Sequence, residues 1–422
     1  MRSSVRPIFI LSLPRSGSTL LQRLLAAHES VATAPEPWIL LPYLYTLRNQ
    51  GVTAEYGHQT VVRAIHDFCL TLPHGEADYL NEIKNLALRL YTKASPPDVT
   101  YFVDKTPPYS LIASELVSLF PEAKFVFLWR NPLAVTASIM TTWAAGKWNL
   151  HERKVDLYAG LENLVAAYET SKAQVCALRY EDLVSQPEVE LQRVFSYLDL
   201  SYDPQVVARF VNVEIKGEFV DPTGVKTYQK ISREPIDKWA HIHSNPFRKQ
   251  WCRRYLQWIG EGRLSIMGYD MDQLLCELDT VPLSSRYLVS DLIREGLARC
   301  GLDEQKIWMK RLYKATQEIA ALIPPGDTFI LVDQEQWGGE VAAGRHAIPF
   351  LEKDGQYWGP PADDDTAIRE FERLHQSGAS FMVVGWPAFW WLDYYSGLHR
   401  HLRSKFRCVR KNSRLVVFDL RP

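Results

Sequence analysis

At 422 residues the chain is longer than one hydrophobic core usually organises, so two domains are expected. Its 46% hydrophobic and 23% charged content is that of an ordinary globular protein. A formal net charge of −1 leaves no global basic field for nucleic acid, so any anion binding has to be local. Six cysteines (Cys69, Cys176, Cys252, Cys276, Cys300 and Cys408) are scattered without a CxxC pair, which suits neither a zinc site nor a small disulfide scaffold and fits a reducing compartment. The apolar run from Pro7 to Leu13 breaks at Pro14-Arg15 with no small-residue cleavage site. No stretch approaches the roughly 18 apolar residues that a membrane helix requires. A cytoplasmic protein without membrane insertion is expected.

Taken in chain order, the first 140 residues alternate strand and helix signals. Ile8 to Leu11 reads as a strand buried on both faces, followed by Leu20, Leu21, Leu24 and Leu25 at helical spacing. Val31 to Ala34 is a second strand, and a helical stretch from Ala54 to Lys93 is broken near Pro73-His74-Gly75. Tyr101-Phe102-Val103 is a third strand, Leu111 to Phe120 a helix, and Phe125 to Trp129 a fourth strand. Asn131-Pro132 then opens a helix with a capping residue and a proline at its first position. A helix around Leu157 to Thr170 and a fifth strand from Val175 to Leu178 follow. This alternation predicts an α/β fold with a P-loop-like parallel sheet flanked by helices. Past Tyr269 the pattern restarts. Ser284 to Leu322 is helical in character, and strands at Thr328–Val332, Ser380–Val384 and Leu415–Phe418 are separated by helices at Thr366–Gln376 and Phe389–Ser404. A first domain over 1–280 and a second, smaller α/β domain over 281–422 are expected.

The segment Ser12-Leu13-Pro14-Arg15-Ser16-Gly17-Ser18-Thr19 joins the first strand to the first helix. A helix N-terminus offers unpaired N–H groups and a partial positive charge, Gly17 lets the backbone curl close to an oxyanion, and Arg15, Ser18 and Thr19 add donors. The same residues also suit a plain helix cap, and by themselves they do not separate the two readings. Missing both the first glycine and the lysine of a Walker A box, the loop does not read as a magnesium–triphosphate cradle.

Ligands of open parallel sheets bind beyond the carboxyl ends of the strands. Arg15 follows the first strand, Glu36 the second, Asp104-Lys105 the third, Arg130 the fourth and Tyr180 the fifth, so polar groups collect on one rim. Arg130, with Ser138 eight residues on, suits a second phosphate clamp. An ion pair of Arg130 with Glu181 or Asp182 is the structural alternative.

Residues 7 to 37 (Pro7-Ile8-Phe9-Ile10, Pro14-Arg15-Ser16-Gly17-Ser18-Thr19-Leu20-Leu21, Ala27-His28, Pro35-Glu36-Pro37) resemble the opening of the sulfotransferases that use 3′-phosphoadenosine 5′-phosphosulfate (PAPS). The resemblance is to the branch related to tyrosylprotein and bacterial carbohydrate or small-molecule sulfotransferases. Asp104-Lys105-Thr106-Pro107, Phe120-Pro121-Glu122-Ala123-Lys124-Phe125, Arg130-Asn131-Pro132 with Ser138, and Arg179-Tyr180-Glu181-Asp182-Leu183 follow in that family's order, over roughly residues 5 to 270. The resemblance implies an enzyme that moves a sulfuryl group from PAPS, its co-substrate, to a hydroxyl of a small-molecule, carbohydrate or peptide acceptor. It implies that Arg15, Ser16, Gly17, Ser18 and Thr19 hold the phosphosulfate, that Arg130 and Ser138 hold the 3′-phosphate, and that Tyr180 contacts adenine. Lys105 suits the bridging oxygen, where leaving-group charge develops, and Lys230 resembles the late lysine segment that closes over the nucleotide, with a solvated surface lysine as the alternative. The histidine that steroid and phenol sulfotransferases carry after Lys-Thr is replaced here by Pro107. The resemblance to the tyrosylprotein type therefore implies Glu36 as the base, with anchoring of the prolyl turn as the alternative role.

No metal is expected, since His241 with His243 and His399 with His401 lack a nearby cysteine or carboxylate triad. In the second domain the aromatic run from Trp386 to Trp391, with Tyr394 and Tyr395, reads as core or as a sugar-binding face, and Asp363-Asp364-Asp365 as an acidic helix start. Asp333 and Asp419 end strands there. Two rival functions remain: a P-loop kinase-like phosphotransferase, and a catalytically inactive nucleotide-binding scaffold. Acceptor identity and oligomeric state have no signature in the sequence.

Overall fold

The computed structural model describes residues 5–54, 56–215, 230–300, 304–337, 339–342, 344–353 and 355–421. Two compact units divide between Gly296 and Leu297. In the first unit five strands, β1 (Arg6–Leu11), β2 (Val31–Thr33), β3 (Tyr101–Asp104), β4 (Lys124–Trp129) and β5 (Cys176–Arg179), form a fully parallel sheet in the order β2-β3-β1-β4-β5. The apolar runs explain that sheet. Phe9, Leu11, Phe102, Phe127 and Trp129 point into one core, and Ile8, Ile10, Tyr101, Val103, Val126 and Leu128 into the other. A strand buried on both faces cannot alternate polar with apolar, and none of these does.

The helices cover both faces. They are α1 (Ser18–Ala26), α2 (Leu40–Tyr45), α3 (His58–Cys69), α4 (Glu76–Ala94), α5 (Ala113–Leu119), α6 (Pro132–Ala144), α7 (Leu161–Ser171) and α8 (Tyr180–Ser185), with further helices after them. The break expected near Pro73-His74-Gly75 separates α3 from α4, where Gly75 takes a positive φ of 63°. The expected helix after β3 starts as a 3₁₀ turn (Pro107–Ile112), and the one before β5 as a π turn (Val155–Gly160). Because β1 lies inside the sheet with β3 on one side and β4 on the other, the connections leaving β1 and β4 diverge. That divergence opens a crevice at the carboxyl ends of these two strands.

The division at Gly296 falls later than the position near residue 280 expected from the restart of the hydrophobic pattern. One buried ion pair anchors the stretch between these two positions. Asp291, on the helix Leu288–Arg299, is 0% exposed and receives Arg248 Nε at 2.7 Å, Arg248 NH2 at 3.0 Å and Asn245 Nδ2 at 2.8 Å. NH1 donates to the Ile242 carbonyl, and NH2 donates also to that of Gly146. This fully bonded charge pair ties the helix to the first unit, and pairing of that kind has no period that a pattern scan detects.

The second unit holds a mixed sheet in the order β11-β12-β10-β6-β7, from β6 (Thr328–Val332), β7 (His346–Pro349), β10 (Phe381–Gly385), β11 (Arg407–Lys411) and β12 (Leu415–Asp419). A two-stranded ribbon, β8 (Glu352–Lys353) and β9 (Gln356–Tyr357), accompanies it. Trp391 and Tyr395 are buried in its core, whereas Trp390 and Tyr394 are exposed. Asp363 accepts from Thr366 N at 2.8 Å and so caps the helix Asp364–Gln376, while Asp364 accepts from Leu398 N at 2.9 Å. Asp333 accepts from Trp337 N and Glu335 N, and Asp419 accepts from Arg421, so both strand-end carboxylates are engaged within the unit.

Candidate active site

The phosphate loop is set by its own backbone. β1 ends at the centre of the sheet, and the chain turns through two left-handed residues, Arg15 (φ 67°) and Gly17 (φ 90°), before α1 starts at Ser18. Gly17 O accepts from Leu20 N and Leu21 N at 3.0 and 3.3 Å, closing the first turn. A side chain at position 17 is excluded twice over. The φ disfavours it, and a Cβ would lie 2.3 Å from Cδ2 of Tyr180. The backbone thus lies directly on the Tyr180 ring, and Ser16, Ser18 and Thr19 are buried around the turn.

Arg130, at the end of β4, closes the other wall of the crevice. It donates through NH1 to Arg15 O at 2.7 Å and through NH2 to Pro235 O at 3.2 Å, and its guanidinium carbon lies 4.5 Å from the Tyr180 ring centroid. Its Nε is buried with no hydrogen-bond partner among the described residues. The expected alternative, an ion pair with Glu181 or Asp182, is not formed. Glu181 accepts from Asn131 N at 3.0 Å and from Tyr269 OH at 2.6 Å, and Asp182 accepts from Nε and NH2 of Arg179, each at 2.7 Å. Arg130 is therefore a cation held by carbonyls and a ring, with no carboxylate among the described residues neutralising it. Asn131 caps α6 through Oδ1 to Leu133 N at 2.9 Å, and α6 carries Ser138 to Arg15, whose Nε donates to Ser138 Oγ at 3.3 Å. Five of the expected residues, Arg15, Gly17, Arg130, Ser138 and Tyr180, thus form one contact cluster. Burial pushes the Tyr180 phenol up, and Arg130 opposes that shift.

One strand spacing away, roughly 5 Å, β3 brings a second cluster to the same rim. Lys105 Nζ lies 2.6 Å from Glu36 Oε1, with the lysine 3% and the glutamate 17% exposed. Glu36 is delivered from β2 by Ala34-Pro35, and α1 fixes that turn because Gln22 Nε2 donates to Thr33 Oγ1 and Ala34 O at 2.8 and 2.9 Å. Beneath the pair, Asp104 is fully buried. It accepts from Tyr91 OH at 2.6 Å and Thr106 Oγ1 at 2.8 Å. Burial raises the Asp104 carboxyl to about 6, since loss of water penalises the charged form more than these bonds favour it.

This shift has a stability consequence. A carboxyl whose folded pKa lies above its unfolded value binds its proton more tightly in the native state, so stability falls as pH rises between about 4 and 6. The expected cost is on the order of 3 kcal/mol. Denaturant unfolding at pH 4 and pH 7 should show the native chain losing more stability than Asp104→Asn over this interval; parallel losses would refute the assignment.

Lys230 is exposed beside residues 216–229, and most of the late segment expected around it, including Tyr228 and Gln229, lies outside the described residues. The histidine pairs serve the fold. Buried His243 lies 3.0 Å through Nε2 from both Thr136 Oγ1 and Leu133 O, and burial lowers it to about 3, while His401 Nε2 lies 2.6 Å from Glu372. Among the described residues no three histidine, cysteine or carboxylate side chains gather in a way that suits a metal. Trp38 was not singled out from sequence. Its Nε1 donates to Glu36 Oε2 at 3.2 Å, and a bulky residue following Pro-Glu-Pro was the only signal available.

A model of the sulfotransferase family matches residues 7–204. The nodulation protein NoeE of Sinorhizobium fredii is 31% identical over 231 residues, covering 49% of this chain and 52% of that protein. A putative protein-tyrosine sulfotransferase of Caenorhabditis briggsae is 28% identical over 287 residues, covering 62% of this chain and 89% of that one. Among solved structures, the sulfotransferase domain from the curacin biosynthetic pathway is matched with a TM-score of 0.44 at 23% identity, over 64% of this chain and 99% of that domain. The match thus spans about half the length of NoeE.

Proposed function

We propose that the chain transfers a sulfuryl group from PAPS to the hydroxyl of a small acceptor, a reading supported by the match of residues 7–204 to a model of the sulfotransferase family. The observation that carries this reading is the contact of two cationic sites across the β1–β4 crevice: Arg15 on Ser138, and Arg130 on the Arg15 carbonyl and the Tyr180 ring. The donor set fits a nucleotide with two anionic ends. Among the described residues Arg130 has no carboxylate counter-charge and keeps an unused buried Nε for a 3′-phosphate, and Ser138 joins the same cluster through Arg15. Gly17 brings backbone N–H groups, and Arg15, Ser18 and Thr19 bring side-chain donors, to a phosphosulfate at the start of α1. Tyr180 supplies a flat apolar wall for adenine.

In the reaction the acceptor oxygen attacks sulfur as the bond from sulfur to the bridging oxygen breaks, and the leaving electron pair stays on the bisphosphate. Arg15 and the α1 N-terminus stabilise charge on the equatorial oxygens, and Lys105 answers the charge that grows on the bridging oxygen. Glu36 takes the acceptor proton, held one strand away from the loop by its bond to Lys105. No metal is assigned a step. We also propose a cytoplasmic location, supported by six cysteines that form no disulfide. No helix among the described residues is long and apolar enough to cross a membrane.

Isothermal titration with adenosine 3′,5′-bisphosphate, with and without a chelator, tests the proposal. Tight binding that the chelator leaves unchanged is the expected result. Binding that requires magnesium, or none at all, would overturn it in favour of a kinase-like or scaffold role.

A further inference from the structure

The residue after the Pro-Glu-Pro turn is strained. Trp38 adopts a φ of 57°, a region that bulky side chains rarely enter and that persists only where the surroundings enforce it. Two contacts are made from this conformation. The Trp38 backbone N–H reaches Thr106 Oγ1 at 3.5 Å, and the indole N–H donates to Glu36 Oε2 at 3.2 Å. With Lys105 on Glu36 Oε1, the contacts close a ring through Glu36, Lys105, Thr106 and Trp38. Prolines on both sides of Glu36 restrict its backbone as well. The carboxylate therefore cannot rotate freely: one lone pair of each oxygen is engaged, and one of each is left. Trp38 itself is 36% exposed, so part of its indole lies open beside the most accessible candidate base on the rim.

Building on the sulfotransferase reading, we propose that Trp38 is a positioning residue for the Glu36 carboxylate and the platform on which the acceptor lies, the acceptor hydroxyl being carried on a flat ring face such as that of a phenol or a sugar. The indole N–H orients Glu36 so that a free lone pair meets the acceptor O–H. The ring stacks against the acceptor and brings its oxygen in line with sulfur. The proton passes from the acceptor oxygen to Glu36, that oxygen forms the new bond to sulfur, and the electron pair of the broken bond departs with the bisphosphate.

The test uses the full chain with ¹⁵N-labelled tryptophan, the Trp38 indole signal being the one that Trp38→Phe removes. Glu36→Gln is expected to shift that signal; a signal that does not respond overturns the positioning role. In assays with labelled PAPS, Trp38→Phe keeps a ring and loses the N–H. It should lower kcat about tenfold and leave the acceptor KM within about twofold. Trp38→Leu loses both, and should also raise KM about tenfold for 4-methylumbelliferone or octyl β-glucoside, but not for n-octanol. A normal kcat in Trp38→Phe sinks the positioning role, and equal KM changes for ring-bearing and straight-chain alcohols sink the platform. A chain that binds no adenosine 3′,5′-bisphosphate would disprove the sulfotransferase reading instead, while the indole signal would still decide the bond between Trp38 and Glu36.

Discussion

Glu36→Gln should retain adenosine 3′,5′-bisphosphate binding within about threefold and lose on the order of a thousandfold in turnover. The substitution changes one atom. Lys105 lies 2.6 Å from Oε1, so the amide oxygen of the glutamine should face the ammonium, and the amide NH₂ is then left toward Trp38 Nε1. The variant preserves bulk and most of the packing, removes the group that accepts the proton, and sets two donors face to face. The nucleotide clamp is made by other strands, β1 and β4, and should be nearly indifferent. Titration calorimetry and a labelled-PAPS assay on the same sample separate the two effects. Sulfate transfer at the normal rate would reduce Glu36 to an anchor for the prolyl turn.

Arg130→Ala should weaken adenosine 3′,5′-bisphosphate by roughly a hundredfold, about 3 kcal/mol, and AMP far less. The asymmetry follows from what Arg130 touches. Two of its nitrogens are committed to the carbonyls of Arg15 and Pro235, which brace the loop for any nucleotide, while the buried Nε has no partner among the described residues. The carbonyl contacts are lost for both ligands, and only the bisphosphate also loses a charged contact. Equal losses for the two ligands would remove Arg130 from the 3′-phosphate and leave it a brace. Arg130→Lys should fall between, because a single ammonium cannot reach both carbonyls and an anion at once.

The arrangement of the rim was legible because it depends on short-range signals. Five apolar runs buried on both faces fixed the strands, and the residue after each run had to emerge on one edge. Arg15, Glu36, Lys105, Arg130 and Tyr180 were found in that way. Less legible was everything decided by partners distant in the chain. Arg130 was weighed against Glu181 and Asp182, yet those carboxylates belong to Asn131, Tyr269 and Arg179, and only the fold reveals it. Trp38 depends on a left-handed backbone that no composition rule anticipates. In the second unit, β6, β10 and β12 were read from their apolar runs. β11 (Arg407–Lys411) was not, because it is a charged edge strand with exposed arginines and lacks the alternation that announces a half-buried strand.

The buried charges of Asp291 and Arg248 bear on how the protein can be taken apart. Cleavage near residue 280, where the hydrophobic rhythm pauses, would carry away the carboxylate that Arg248 pairs with and leave a guanidinium sealed in the interior. An amino-terminal fragment meant to stand alone should therefore run through Gly296.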